Sequence, residues 1–162
     1  MLQNLRAELR PALHSFEHGV ALNPSFAPGY AQIGNMLIQL GRFDEALDKI
    51  QYAIRLSPKD PALWFWARCA GWAELERGHD DAAFEWLFRA AALGRKSPLV
   101  HVTLAAAYAL AGDRSDAERY ALRYSELTPS LSNEQRLAYF SDASQRPRRL
   151  AAGARLALAS PQ

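Results

Sequence analysis

Three features of this sequence could support chemistry: a pair among its four histidines, a pair of adjacent aspartates and its single cysteine. His14 and His18 stand four apart, a spacing that can hold a metal ion on a helix, but the HExxH order is absent. Solvent-exposed histidines are the alternative interpretation. Asp80 and Asp81 would begin a helix, where carboxylates are ordinary, and no paired nucleophile accompanies them. No sequence signature links Cys69 to a histidine. We therefore predict no metal site, no cofactor and no enzymatic activity.

The composition is typical of a soluble, all-helical protein. Apolar residues make up 49% and charged residues 22% of the chain, and alanine and leucine outnumber the strand formers. The net charge of +2 is too small to predict binding to nucleic acid or to an acidic membrane. The longest clean apolar run, 104–111, is far shorter than the roughly 20 residues of a membrane span. A single cysteine and the lack of a signal-peptide pattern favour a reducing, cytoplasmic location.

The elements that would position any site recur along the chain. Gly41, Gly78 and Gly112 each follow an apolar helical stretch and are separated by 37 and then 34 residues. Glycine commonly ends a helix by adopting a positive φ, so each glycine marks a hinge between two helices. The same intervals separate the alanines Ala46, Ala83 and Ala117. A period near 34 with two helices per unit predicts a helical solenoid.

These spacings divide one domain, 1–162, into successive units. A partial repeat occupies 10–26, repeats occupy 27–60, 61–97 and 98–131, and capping helices occupy 132–160. The third unit carries three additional residues, which predict a longer first helix.

Capping patterns predict where several helices begin. The helix of the partial repeat should begin at Arg10, with Pro11 in its first turn. Asp60 should cap the third unit, with Pro61 at the first helical position. Ser132 and Gln135 form a capping-box pattern for a short helix. That helix would contain Leu137, Tyr139 and Phe140.

A last helix is predicted over 146–159, with Pro147 in its first turn. Its buried stripe would consist of Leu150, Ala154 and Leu158. A solenoid needs a terminal helix with a polar outer face. We expect that face to be formed by Arg146, Arg148, Arg149 and Arg155.

The second unit reads Tyr30-x₂-Ile33-Gly34-x₂-Leu37, then Ala46-x₃-Ile50, then Ala53 and Pro58. This order resembles the tetratricopeptide repeat, whose signature is W-x₂-L-G-x₂-Y, A-x₃-F and P. The fourth unit matches similarly from His101 to Pro129, and the third more loosely, with Arg95 where proline is usual. The resemblance covers residues 10–131. It implies a right-handed superhelical α-solenoid in which the first helix of each repeat lines a concave groove.

The resemblance also implies which residues line that groove. Asn35 matches an asparagine with which some family members clamp a peptide's C-terminal carboxylate, although Ala31 and Phe65 replace two lysines of that clamp. Arg68 is able to hold a carboxylate through two hydrogen bonds. The groove residues that we single out as binding candidates are Asn35, Phe65, Arg68, Trp72, Glu76 and Thr103.

Four aromatic residues crowd into nine positions: Trp64, Phe65, Trp66 and Trp72. Large aromatics at helical spacing usually fill a core. At 100° per residue, however, the four cannot all face one way, and tryptophan is enriched at binding hot spots. Core filling and a role in the groove or an interface both remain open for this cluster.

The sequence favours a non-enzymatic scaffold that binds a peptide or protein segment along the concave groove. One alternative is self-association, because a stack that starts on a half-repeat would expose Leu9, Leu13 and Phe16. Another follows from the similarity of 21–34 and 41–61 to the repeat tails of bacterial class III nucleotide cyclases and winged-helix regulators. That similarity implies a regulatory tail in a bacterial signalling protein.

Overall fold

The structure is a computed structural model that describes residues 2–132, 134–136 and 148–159, with the backbone alone for 2–8 and 148. Within those ranges every regular element is a helix, which confirms the predicted all-α solenoid. Residues 134–136 are also helical. The longer helices are, in chain order, α1 (Leu2–Leu22), α2 (Ala27–Gln39), α3 (Phe43–Leu56), α4 (Leu63–Arg77), α5 (Asp80–Leu93), α6 (Pro98–Ala111), α7 (Arg114–Leu127) and α8 (Arg148–Ala159).

The three hinge glycines end helices as predicted. Gly41, Gly78 and Gly112 have φ values of 78°, 80° and 80°. A side chain with a Cβ rarely adopts this left-handed conformation, so glycine allows the chain to reverse within a few residues. Each reversal places the two helices of one repeat side by side.

Small residues allow those two helices to approach closely. A Cβ added to Gly34 would lie 2.5 Å from Cγ1 of Ile50, and one added to Gly71 would lie 2.7 Å from Cγ of Leu87. In the fourth unit the equivalent position is Ala105, which is fully buried. The partner positions on the second helices are the buried alanines Ala46, Ala83 and Ala117.

The helices form an inner and an outer layer. The first helices α2, α4 and α6 contact one another from repeat to repeat, whereas the described second helices α3, α5 and α7 do not. Because the inner row is packed more closely than the outer row, the stack curves toward the first helices. This side is the concave face.

Two helix starts differ from the prediction. Helix α1 begins at Leu2 rather than Arg10, so Pro11 lies inside it. The preceding residues are good helix formers, and their contribution outweighs the backbone hydrogen bond that proline cannot donate. Helix α4 begins at Leu63 because the Asp60 carboxylate accepts the Ala62 N–H at 2.8 Å and holds an additional turn before the helix.

The three additional residues of the third unit are divided between that turn and the helix. Two of them, 61 and 62, lie in the turn, and Leu63 begins α4. Helix α4 has 15 residues, against 13 in α2 and 14 in α6.

Helix α8 lies across the concave face. It packs mainly on α6 and also contacts α4 and α7. Gly153 is the point of closest approach, since a Cβ there would clash with the Ala106 carbonyl oxygen and lie 2.9 Å from Cγ of Leu110. Of the predicted stripe, Leu150 and Ala154 are buried and Leu158 is half-buried against the core.

The N-terminus of α8 is held by side chains at the end of α4 and the start of α5. The two carboxylate oxygens of Glu76 accept the backbone N–H groups of Arg149 at 3.1 Å and Leu150 at 2.8 Å. Nη2 of Arg149 donates to Oδ1 of Asp80 at 3.0 Å. Arg149 therefore does not face outward as predicted, because the nearby Asp80 carboxylate draws it inward. Arg155 is exposed as expected.

The capping box is present: the Ser132 N–H donates to Oε1 of Gln135 at 2.8 Å, and the Gln135 N–H donates to Oγ of Ser132 at 3.1 Å. The remaining predictions for the capping region fall on Leu137, Tyr139, Phe140, Arg146, Pro147 and the side chain of Arg148, which lie outside the described residues.

The close approach within the second unit predicts the effect of Ala46→Leu. The larger side chain would overpack the contact with α2, so we expect a loss of about 1–3 kcal/mol in the free energy of unfolding, measured by urea denaturation. Ala92→Leu is the control, because Ala92 is exposed on α5. If the Ala46→Leu variant is as stable as the unmodified protein, the close contact of small residues at Ala46 is not required for the packing of α2 against α3.

The cap on α8 predicts a pH dependence. Burial raises the pKa of Glu76 above its ordinary value of 4.5, although the N–H groups of Leu150 and Arg149 offset part of the increase. The folded protein therefore holds this proton more tightly than the unfolded chain does. The stability that Glu76 contributes should be greatest below the ordinary pKa and should fall as the pH rises through the raised pKa.

The Glu76→Gln substitution removes the titratable group. Its neutral carbonyl oxygen still accepts a hydrogen bond from an N–H group of α8. We expect the free energy of unfolding of the unmodified protein, minus that of Glu76→Gln, to decrease as the pH rises from below 4.5 through the raised pKa of Glu76. A difference that rises with pH would show that the ionised carboxylate is favoured by folding.

Candidate peptide-binding site

The concave side of α2 and α4 brings four of the predicted groove residues together. Asn35 comes from α2, while Phe65, Arg68 and Trp72 come from α4. The α4 residues are three and four positions apart, so their side chains lie on one face of the helix. With the neighbouring Cys69, these residues form what we call the Arg68 site.

The guanidinium of Arg68 lies between two aromatic rings. Its Cζ is 5.2 Å from the ring centre of Phe65 and 5.5 Å from that of Trp72. Both distances are within the range of cation–π attraction. The rings remove the cation from water, and only 6% of Arg68 is exposed.

This buried cation lacks an acidic partner among the described residues. Its Nη2 makes one long contact, 3.8 Å, with Sγ of Cys69, and its Nε has no hydrogen-bond partner. A buried charge without a counter-charge is costly, and proteins usually pair it. The site therefore presents hydrogen-bond donors and a positive charge that an anion would satisfy.

Cys69 does not supply the missing negative charge. Burial raises the pKa of its thiol, although the Arg68 charge works in the opposite direction. The neutral S–H donates to Oδ1 of Asn35 at 3.8 Å. This contact uses the carbonyl side of the Asn35 amide and leaves its NH₂ group without a partner among the described residues.

Trp72, Glu76 and Thr103 are not open to a ligand in this structure. Trp72 is 5% exposed, and its buried Nε1 has no hydrogen-bond partner. Burial raises the pKa of the nearby Glu76, and the indole offsets only part of that increase. Glu76 is occupied by the N-terminus of α8. Thr103 is 1% exposed, and its hydroxyl donates to the Leu99 carbonyl oxygen at 2.6 Å. The accessible part of the predicted groove is therefore Asn35 and Phe65, with Arg68 beneath them.

The aromatic cluster is divided between core and surface. Trp66 is 2% exposed and fills the core. Trp64 and Phe65 are half-buried and pack edge to face, with ring centres 5.8 Å apart. Trp72 is the buried wall of the Arg68 site. Phe65 is the member of the cluster that both contacts the cation and keeps an exposed surface.

The other candidates for chemistry do not form a site in the described part of the chain. His14 and His18 are exposed on α1. Asp80 pairs with Arg149, and Asp81 is exposed. Within 2–132, 134–136 and 148–159 there is no group of three potential metal ligands. No helix in the described ranges combines the length and the apolar character needed to cross a membrane.

The predicted apolar patch on α1 is not exposed. Leu13 is 7% exposed, and Phe16 packs against the core. Leu9 is half-buried. The first helix of the following repeat, α2, covers this face of α1 and explains the difference from the prediction.

A sequence model of the tetratricopeptide repeat matches residues 27–60. No curated protein matches the chain in sequence. The described fold is similar to several solved structures. The type IV pilus biogenesis factor PilW has a TM-score of 0.70 and 23% identity, and the match covers 90% of this chain and 64% of the PilW chain.

PilF of Pseudomonas aeruginosa has a TM-score of 0.69 and 19% identity over 97% of this chain and 71% of its own. YrrB, described as a tetratricopeptide-repeat protein with an unusual peptide-binding site, has a TM-score of 0.59 and 19% identity over 98% of this chain and 87% of its own. At these identities the likeness shows the fold alone. Residues 27–60 are thus a tetratricopeptide repeat, and the chain has the α-solenoid fold of tetratricopeptide-repeat proteins.

Proposed function

We propose that this protein is a non-catalytic interaction scaffold that binds a peptide or protein segment on the concave side of α2 and α4. Proteins of this fold generally mediate protein–protein interactions. The observation that carries the proposal is the guanidinium of Arg68, which is buried at 6% exposure without an acidic partner among the described residues.

The chemistry of the site favours a ligand with a carboxylate. Arginine binds carboxylates through parallel N–H donors, and such charge-assisted hydrogen bonds are stronger than neutral ones. The rings of Phe65 and Trp72 flank the guanidinium and restrict the side chain, so that little side-chain freedom is lost on binding. The free NH₂ group of Asn35 would donate to the ligand from the facing helix.

The same geometry favours a peptide over a small anion. Phe65 is half-buried and keeps exposed aromatic surface beside the charge of Arg68. A mixed apolar and polar groove suits a peptide side chain next to an anchored carboxylate. Glu76 and Thr103 have no part in this proposal, because both are already engaged within the chain.

Arg68→Gln tests the proposal. The substitution removes the charge but keeps a planar group of hydrogen-bonding character between the rings. In a screen of short peptides with free C-terminal carboxylates, we expect the peptides that bind the unmodified chain to bind Arg68→Gln at least about tenfold more weakly. The same peptides with amidated C-termini should bind neither protein well.

Arg89→Gln is the matched control. Arg89 also lies over an aromatic ring, 5.4 Å from the centre of Trp86, but it is exposed on the outer helix α5. Its variant should bind carboxylate peptides as the unmodified chain does. Equal loss in both variants, or no loss in a folded Arg68→Gln, would contradict a role for Arg68 in ligand binding.

A further inference from the structure

Helix α1 has a face that the described part of the chain leaves uncovered. Its positions, each paired with the α3 residue that follows it by 34 positions, are Ala12 and Ala46, Phe16 and Ile50, and Gly19 and Ala53. The three α3 residues are 0% exposed, because the first helix of their repeat, α2, packs on them. Their α1 counterparts are only half-buried. The only described helix that contacts α1 is α2, and it covers the adjacent side of α1, where Leu13 is buried.

Gly19 also indicates a missing contact on this face. At the other four glycines within the described helices, an added Cβ would lie closer than 3.0 Å to another atom: Gly29, Gly34, Gly71 and Gly153. At Gly19 the same Cβ would meet nothing within 4 Å. Glycine weakens a helix relative to alanine, and packing within the described chain gives no reason for a glycine here. The position therefore has room for a close contact that the described chain does not make.

The chain does not reverse before α1 in the way it reverses before α3. In the second unit the reversal is at Gly41, whose φ is 78°. The corresponding position of the partial repeat, 34 residues earlier, is Ala7, and the helical backbone of α1 runs through it from Leu2. Because the hinge that would fold a first helix back onto α1 is missing, the geometry favours a covering helix from another molecule.

We propose that the covering helix is α1 of a second copy of this chain, packed antiparallel on the same face about a twofold axis. Such a contact uses one face twice, so the face must complement itself. Within the repeats the close-approach glycines, Gly34 and Gly71, belong to first helices, whereas the second helices carry buried alanines. The α1 face carries both kinds of residue, Ala12 and Gly19, and therefore suits a copy of itself better than a first helix.

The spacing of the face sets the register of the two helices. When Ala12 of each copy lies opposite Gly19 of the other, the two Phe16 side chains meet at the axis, because residue 16 lies next to the midpoint between them. The small residues on both sides of the axis allow a close approach, and the half-buried Phe16 rings fill the centre. Arg10 and Glu17 lie on the opposite side of the helix, so neither charge opposes the contact.

Gly19→Lys tests the proposal in the full-length chain. A single copy has free space at this position, and a lysine near the C-terminal end of a helix is favourable, so each copy should fold normally, checked by circular dichroism. In sedimentation across about 1–100 μM, we expect the unmodified chain to form a dimer. The dissociation constant of the Gly19→Lys dimer should be at least about tenfold higher, because the lysines separate the two helices where they approach most closely.

Ala21→Lys is the matched control. Ala21 is exposed on the other side of α1, so its variant adds the same charge outside the contact and should dimerise as the unmodified chain does. Arg68→Gln should also leave the dimer unchanged, so that failure of the α1 contact and failure of the Arg68 site are distinguishable.

A disulfide tests the register. Under mild oxidation, a mixture of the Ala12→Cys and Gly19→Cys variants should form a covalent dimer of one variant with the other, because the two positions face each other. Gly19→Cys alone should not form one, because its two new cysteines would lie about 10 Å apart along the helix axis. The native Cys69 is 1% exposed and should not take part.

Any of three results would overturn the proposal. The first is a monomer at every concentration, including a monomer whose α1 instead binds a peptide of residues 27–39, which would assign the face to a first helix of another protein. The second is equal dimerisation of the folded Gly19→Lys variant and the unmodified chain, or equal weakening in Ala21→Lys. The third is the absence of the mixed disulfide, and this experiment decides if Gly19→Lys fails to fold.

Discussion

The close approach of two helices at small residues is the constraint on which the rest of the structure depends. Gly34 and Gly71 bring each first helix against the second helix of its repeat, near the buried Ala46 and Ala83. Consecutive repeats stack with their first helices in contact and, among the described residues, their second helices apart. That asymmetry produces a concave face lined by α2, α4 and α6, on which every candidate binding residue lies.

The concave face is then used in two ways. At α2 and α4 it holds a buried cation between aromatic rings. The desolvation of this charge destabilises the protein unless an anion binds and compensates for it. At α6 it holds a helix from the same chain, whose glycine allows the closest contact in that region. Glu76 lies at the boundary, since its carboxylate caps α8 while its pKa responds to Trp72 of the Arg68 site. The concave face thus combines a buried cation at α2 and α4 with a packed helix of the same chain at α6.

Repetition made the fold predictable from the sequence, and departures from repetition limited the prediction of the site. The spacing of Gly41, Gly78 and Gly112 predicted the hinges, because a hinge depends only on the local backbone conformation that glycine permits. Arg68 and Asn35 followed from the repeat register. The occupation of Glu76 by α8 did not, since it depends on contacts between residues 73 and 74 positions apart. Gly153 within an alanine-rich helix was the available signal, because such a glycine marks close helix packing.

The most direct measurement of the central claim is a nuclear magnetic resonance titration of the full-length chain with short peptides that carry free C-terminal carboxylates. The reporters are the Nε–H group of Arg68, which has no partner in the structure, and the backbone amides of α8. The account predicts that the Arg68 resonance shifts on binding while the α8 amides stay in place. Shifts confined to α8 or to the outer helices, with an unchanged Arg68 resonance, would contradict it.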